Sequence, residues 1–470
     1  MVSMRYARNA ARGEGLVFNP GEKVEGFSNP LWVGGMAAVH LLPLSPRSTS
    51  LAVQVAAALL LLANVALTFR LARALPGAPA RAAPVAALLA GFHAPLLLWG
   101  LLGMEVAALT PLLTGSALLL VTTLADGRFR RAPYLLLALG TFLRMDAAVP
   151  SIAAAAFLAL ADRPRRRRHL LWGLGSLAAA LAVQTGARWL YYGDALPNTY
   201  YLKLTGYPLL PRVQRGLATL WAFVSGDGAP LVLLALAALL LLRGAPARLL
   251  ALLFGAQAAY SAWVGGDAWE YVTPCNRYLA VAVPLLAVLA AASLGLLAER
   301  LPPGPAGSRA LAVGALLVLL LGNGVRGPGS LRAWLDAPRG VAAVHAEAVR
   351  RGLAARDVTP PGGSVAVVWA GIVPYVSDRC AVDLLGKTDR HVARLPMRRL
   401  AFYPGHLKWD YAHSLGRLAP DTVAQLWDLP MRWAYLRLEL VPPEAYPFLL
   451  GRYEPIEARG VRLLRRAPRG

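Results

Sequence analysis

The sequence predicts a multi-spanning α-helical membrane protein that carries a small α/β or α+β domain at its C-terminal end. Three observations carry this expectation. Of the 470 residues, 57% are hydrophobic and only 16% charged, with a mean hydropathy of +0.49. A soluble chain of this length needs far more polar surface. The apolar residues also gather in runs of spanning length, while the net charge of +23 comes from arginines placed between those runs. Finally, the composition changes near Gly327, after which short alternating segments replace the long apolar ones.

The chain opens on a polar stretch, MVSMRYARNAARGEGLVFNPGEKVEGFSNPLW, that precedes the first long apolar run. It reads as a short helix, a loop shaped by Gly and Pro, and a second helix started at Ser28-Asn29-Pro30. Ser and Asn suit a helix start because their oxygens can take free backbone N–H groups, and Pro fits the first turn. Residues 30–44 are apolar but bracketed by Pro30, Pro43 and Pro46, which suits a helix lying at the membrane interface. Ten runs then follow, at about 49–69, 83–102, 105–124, 132–145, 147–161, 170–188, 229–242, 249–264, 278–297 and 309–325. Spans need roughly 17–25 residues, so some of these are short.

Every second loop is rich in arginine: Arg70, Arg73 and Arg81; Arg128, Arg130 and Arg131; Arg163 and Arg165 to Arg168; Arg243 and Arg248; Arg300 and Arg309. That is the positive-inside pattern, which places those loops in the cytoplasm and argues against nucleic acid as the partner of the basic charge. The other loops hold the acids and tyrosines and fall outside, as does the tail. The expected division is 1–48 as a first extracytoplasmic loop, 49–326 as the transmembrane domain and 327–470 as the extracytoplasmic domain. In the last, 333–356 reads as an amphipathic helix, and 364–371, 434–440, 453–458 and 461–465 as strands. Cys275 and Cys380, the only cysteines, both fall on the outer side, where a disulfide or two free thiols are equally compatible with the sequence. No apolar signal-peptide core follows Met1, and there is no P-loop, dinucleotide fingerprint or metal-ligand spacing.

An ionisable residue at the mouth of a span is costly to keep and is a candidate for function. Glu105, in LLGMEVAALTPLL, sits at a helix start, where the helix dipole stabilises a carboxylate. Arg144 and Asp146, in FLRMDAAVP, read as a pair that neutralises itself. In GGDAWEYVTPCNRY (265–278), Asp267 and Glu270 are candidates for sugar hydroxyls or a divalent cation, and Arg277 for a two-pronged grip on a phosphate. In YYGDALPNTYYLK (191–203), turns would present Asp194, Asn198, Tyr200 and Lys203, while Tyr191, Tyr192 and Tyr201 suit an interfacial belt. Glu22, Lys23 and Glu25 read as a charged loop surface, and Arg5 with Arg8 as one face of a helix.

These motifs resemble the GT-C glycosyltransferases that use polyprenyl-phosphate sugars, most closely an arabinofuranosyltransferase-like branch. The resemblance rests on R-Y-A-R-N, G-L-V-F-N-P-G and V-E-G-F-S-N-P-L-W within residues 3–32, and on Y-Y-G-D-A-L-P-N-T-Y-Y-L-K. G-M-E-V at Glu105, G-G-D followed by Arg277, A-V-D-L-L-G-K-T-D (381–389) and P-G-H-L-K (404–408) extend it over nearly the whole chain. Lys387 departs from it, standing where the family has an apolar residue. The resemblance implies an inverting transfer of a sugar, arabinofuranose in that branch, from a polyprenyl-phosphate donor to an envelope glycan, lipid or protein outside the inner membrane. It implies substrate contacts for Arg5, Asp383, His406 and Lys408 and a supporting role for Glu105. The residues themselves also allow loop caps and turns for the tail group. Two other functions stay open: an inactive envelope-assembly protein and a transporter or flippase of lipid-linked sugars.

The family's catalytic acid belongs to an acidic pair just ahead of the R-Y-A-x-N segment. The resemblance therefore places that pair, and one further span, upstream of Met1. The expected outcome is that the codons preceding Met1 encode an apolar span followed by Asp-Asp or Asp-Glu. Reading the upstream DNA checks this; a stop codon or a non-acidic stretch there overturns it.

Overall fold

The computed structural model describes residues 1–270, 272–301, 305–323, 341–398, 403–427 and 441–468. The chain divides into two compact units. One comprises Met1–Thr49, Gly186–Pro208 and Ala337–Gly470; the other comprises Ser50–Thr185 and Leu209–Asp336.

The second unit is helical. All ten apolar runs of the sequence fall on helices. Among the described residues five helices are long and apolar enough to cross a membrane, or seven when each of two bent pairs is taken as one span. Three shorter apolar helices, Ala132–Leu143, Met145–Ala161 and Val283–Glu299, account for the remaining runs. Helix Val283–Glu299 is the centre of the unit. Its residues from Val283 to Ser293 are all buried, and it packs against Ala82–Gly91, Ala229–Leu242, Ala245–Val264 and Pro305–Gly322. A helix apolar on every face needs such surroundings. The outer helices do the reverse: Leu171, Leu233 and Leu240 project bare apolar side chains, a surface that only lipid would cover without penalty.

Two runs depart from the simple expectation. The run 83–102 is broken into Ala82–Gly91 and Ala94–Leu101, bent by 51°. Pro95 lacks an N–H and His93 turns extended, its Nδ1 accepting from Leu96 N at 3.3 Å. Asn323 closes the break: its Oδ1 accepts from Ala94 N (2.6 Å) and its Nδ2 donates to Phe92 O (2.8 Å). Freed backbone groups at membrane depth need such partners. The run 229–242 is joined to Leu209–Ser225 with a bend of 82°. The earlier helix carries Arg212, Gln214 and Arg215, which masks it as a span in sequence.

The first unit is built on a five-stranded sheet in the order β2-β1-β3-β5-β4, with β1 Ser364–Val367, β2 Cys380–Asp383, β3 Thr422–Val423, β4 Tyr453–Ala458 and β5 Val461–Arg466. β1 pairs parallel with β2 and β3, while β5 runs antiparallel to β3 and β4. The β4–β5 hairpin turns on Arg459 (φ 51°) and Gly460 (φ 66°), the two positive φ values of the tight hairpin turn. β1 is shorter than 364–371 because the Gln425 side chain takes the next two N–H groups, Val368 at 3.1 Å and Trp369 at 3.0 Å. Helix Val341–Val358 occupies most of the expected 333–356; residues 333–340 and the expected strand 434–440 lie outside the described residues. Cys275 and Cys380 are free thiols.

The N-terminal stretch belongs to this unit as helices Val2–Ala11 and Pro30–His40. Pro30 is at the helix start as expected, but Asn29 makes no side-chain cap; its Oδ1 accepts from Ser3 Oγ at 3.0 Å. Asn19 instead does the unexpected work. Its amide accepts from Ala381 N and donates to Ala381 O, both at 2.9 Å. It thereby imitates a neighbouring strand residue on the free edge of β2.

Helix Leu209–Ser225 crosses Ala245–Val264 at Gly216, where an added Cβ would overlap the Ala262 carbonyl, a backbone group that cannot rotate away. Gly216→Val is expected to lower stability by about 1–3 kcal/mol. Gly186→Ala, on a helix with nothing near its position, is expected to leave stability unchanged or slightly raised. Thermal melts of the detergent-solubilised variants check both; equal melting temperatures for Gly216→Val and wild type would overturn the first.

Candidate functional site

In the helical unit the candidates from the acid-bearing loops meet in one network. Glu105 directly precedes Val106–Asp126, Arg144 and Asp146 form the turn between Ala132–Leu143 and Ala148–Ala161, and Asp267 to Arg277 link Ala245–Val264 to the central helix. Arg144 is its hub. Its Nε and Nη2 donate to the two Asp146 oxygens at 2.9 and 3.1 Å, and its Nη1 donates to Arg277 O at 3.2 Å. Glu105 Oε1 lies 3.9 Å from the same Nε, and the guanidinium sits 4.5 Å from the Tyr278 ring centre. Gln257 Nε2 adds a third donor to Asp146 at 2.9 Å. A buried charge survives only with such company.

Arg277 is held by Asp267, with Nε 2.7 Å from Oδ2 and Nη2 3.0 Å from Oδ1. Glu270 Oε2 accepts from Arg215 Nη2 at 2.9 Å, and its other oxygen takes the Asp267 N–H and Asn276 Nδ2. Burial raises the Glu270 carboxyl above its usual range, and Arg215 opposes that rise. The sequence offered Asp267 and Glu270 as cation ligands, but each is paired with an arginine. Among the described residues no group of three or more His, Cys, Asp or Glu could hold a metal ion.

In the mixed unit most of the expected contacts serve the backbone. Arg5 is buried and donates to Phe18 O (2.7 Å), Pro374 O (2.5 Å), Arg379 O (2.6 Å) and Asn19 Oδ1 (3.1 Å). Burial lowers its pKa to about 10. Arg8 donates to Tyr375 O at 2.7 Å and pairs with Asp378 at 2.7 Å, so the expected helix face is an anchor and not a solvated surface. Asn198 Nδ2 donates to Gly386 O, Lys387 O and Asp389 O, at 2.9 to 3.2 Å. Asp383 accepts from the N–H groups of Leu385, Gly386 and Thr388 and from the Thr388 hydroxyl, and burial raises its carboxyl. Lys408 is fully buried and donates to Tyr201 O, Thr205 O and Ala393 O, at 2.8 to 2.9 Å; desolvation lowers it to about 8. In Arg5, Asn198, Asp383 and Lys408 the polar atoms thus fix neighbouring loops. Asp194 pairs with Arg390 and Arg394, and His406 Nδ1 donates to Pro404 O. Tyr200 is exposed and Lys203 half-buried, on helix Asn198–Lys203.

Glu25 corrects the expectation of a charged loop surface. It is buried against Arg188, with Nε 2.7 Å from Oε2. Burial pushes its carboxyl up to about 7, although Arg188 pulls it down. Arg188 was not singled out in sequence, yet an arginine closing an apolar run carries the signal. His391 and His413, also unforeseen, lie 4.3 Å apart ring to ring, each bonded to a carboxylate, Asp410 and Asp389.

A family model described as a domain of unknown function, DUF8728, matches residues 340–458. Among solved structures, ArnT from Cupriavidus metallidurans bound to undecaprenyl phosphate is 13% identical, with a TM-score of 0.58 over 99% of this chain and 93% of that one. The fold is of the GT-C type. The Archaeoglobus fulgidus oligosaccharyltransferase, solved with Zn and sulfate, is 14% identical, with a TM-score of 0.48 over 81% of this chain and 57% of that one. No curated protein matches the sequence.

Arg144→Ala strands Asp146 and Glu105 without their shared cation and is expected to cost about 3–5 kcal/mol, read as a lowered melting temperature. The Glu25 carboxyl titrates near 7 when folded against 4.5 when unfolded, so the folded state holds more protons between those values. Its contribution to stability is therefore present at pH 4.5 and lost as pH rises towards 7. Melting wild type and Glu25→Gln across this window checks the sign: the wild type should lose ground to the variant, and parallel curves would overturn it.

Proposed function

We propose that this protein is an integral membrane glycosyltransferase that moves a sugar from a polyprenyl-phosphate donor to a hydroxyl of an envelope glycan, lipid or protein. The observation that carries the reading is the buried arginine–carboxylate network at one set of helix ends, in a chain that has the GT-C fold along nearly its full length. ArnT, which shares the fold, was solved with undecaprenyl phosphate, and we assign the same class of lipid phosphate to the donor here. The arginine-rich loops lie at the opposite helix ends, which supports an inner-membrane protein whose site opens outside the cytoplasm. The arabinofuranosyltransferase-like motifs of the first loop support arabinofuranose as the sugar.

The chemistry needs negative charge to be stabilised on the departing lipid phosphate. Arg277 is the group suited to it. Its fork already binds two carboxylate oxygens of Asp267, and a phosphate presents oxygens that such a fork grips in the same two-pronged way. Donor binding would exchange Asp267 for phosphate on a guanidinium already held in place. To Glu105, whose carboxylate lies 3.9 Å from Arg144, we assign the orienting of an acceptor hydroxyl.

Incubating the protein, expressed together with the codons that precede Met1, in lipid nanodiscs with radiolabelled polyprenyl-phosphate arabinofuranose and other polyprenyl-phosphate sugars tests the reading. Transfer to an envelope glycan is expected with at least one donor. Arg277→Lys, which keeps a cation beside the buried Asp267 but loses the two-pronged fork, is expected to lower kcat/KM by about 10²–10³ while the melting temperature stays within a few degrees. No transfer from any such donor, or unchanged turnover in Arg277→Lys, would sink it.

A further inference from the structure

β2 is an edge of the sheet, and a cleft of about 570 Å³ runs along it within the mixed unit. That volume falls in the range of roughly 300–1,000 Å³ typical of small-molecule sites. Glu22 and Lys23 stand on one side, and Asp389, Arg390, His391 and His413 on another. The outward backbone groups of Ala381 are already taken by the Asn19 amide. A peptide strand therefore cannot add to this edge in the usual ladder.

The hydrogen bonds set what the cleft offers. Arg417 Nη2 lies 2.7 Å from His413 Nδ1. A guanidinium only donates, so Nδ1 accepts and the proton sits on Nε2, donated to Asp389 Oδ2 at 2.9 Å. His413 is thus held as the neutral ring, a fixed wall. His391 turns Nε2 to Asp410 at 3.0 Å, which leaves Nδ1 as an acceptor without a partner among the described residues. Among the described residues Lys23 Nζ meets the Tyr191 ring alone, 5.2 Å away, and it offers donors. Glu22 uses one oxygen for Asn19 Nδ2 at 3.1 Å and offers the other.

The lining has three carboxylates, Glu22, Asp383 and Asp389, against two cations, Lys23 and Arg390, and so no excess of positive charge. In a chain of net charge +23, this is not a surface for phosphate. Mixed donors and acceptors without a positive excess suit neutral vicinal hydroxyls. We infer that this cleft binds a neutral, hydroxyl-rich oligosaccharide, with His391 Nδ1 and Glu22 accepting and Lys23 donating. Resting on the transferase reading, it is the docking site for the acceptor glycan, distinct from the donor's arginines.

The experiment presents the full-length, detergent-solubilised protein to an array of neutral oligosaccharides, acidic oligosaccharides and peptides. Neutral oligosaccharides should be retained, and His391→Ala and Lys23→Ala should each weaken that retention about tenfold, the loss of one hydrogen bond, with melting temperatures unchanged. His391 and Lys23 are both solvent-exposed, so neither substitution removes core. Retention of acidic glycans or peptides only, no retention at all, or wild-type retention by both variants would overturn the assignment. Sugar transfer is measured on the same samples. Retention without transfer sustains the cleft and sinks the transferase reading; transfer that neither substitution affects does the reverse.

Discussion

A guanidinium keeps its charge at any pH a protein meets and carries five N–H donors in one plane. Placed in a poorly hydrated interior it must find acceptors for nearly all of them. That requirement organises each unit of this molecule. In the mixed unit Arg5 and Arg8 gather the carbonyls of Pro374, Tyr375 and Arg379, more than 360 residues along the chain. The helix Ile372–Ser377 ends there, and the two guanidiniums bond its exposed end carbonyls, Pro374 O also taking the Asp378 N–H at 3.3 Å. The opening segment is therefore part of the sheet domain's framework. Lysine could not replace Arg5, since one ammonium cannot reach four acceptors spread across a plane. In the helical unit Arg144 ties three loops together by the same means.

The helices were legible because spans are written in composition alone: a run of apolar residues between arginine loops needs no partner to be recognised. What composition does not record is backbone continuity. The break at Phe92-His93 depends on Asn323, more than 200 residues away, although Gly91 and Pro95 marked the place. The hairpin β4–β5 was legible from alternation about Arg459-Gly460, whereas two-residue β3 exists only because β1 and β5 flank it. Glu25 shows the harder limit. G-E-K-V-E-G has the look of a solvated loop, and only Arg188, 163 residues on, makes Glu25 an interior residue.

The candidate residues of the motifs divide by what their polar atoms do. Asn198, Asp383 and Lys408 spend theirs on carbonyls and N–H groups of neighbouring loops. Such residues fix loop shape as strictly as a ligand would, because a buried backbone group left unpaired costs about 1–3 kcal/mol. Motif similarity at these positions thus reports a shared loop path, and chemistry has to be sought among side chains that keep polar atoms free. By that criterion His391 and Glu22 stay exposed in segments where Asp383 and Glu25 are buried, a difference that the sequence does not record.

Charge balance sharpens the transferase reading of the helical network. Glu105, Asp146, Asp267 and Glu270 are four acids against Arg144, Arg215 and Arg277. Fully ionised, the set carries one net negative charge. Burial disfavours the charged form of Glu270, and its protonation would bring the set to neutrality. A lipid phosphate approaching either state gains little from the network as a whole, so its affinity must come from one exchange: a carboxylate leaves an arginine fork and phosphate oxygens enter it. Arg277 fits that exchange better than Arg144. Arg144 is gripped by Asp146, which Gln257 also holds, and it props the Arg277 carbonyl. Among the described residues Arg277 is bonded to one carboxylate, Asp267. On this account Asp267 keeps the fork oriented while no phosphate is present, and selectivity for a phosphate-linked donor arises because only a two-pronged anion can replace it.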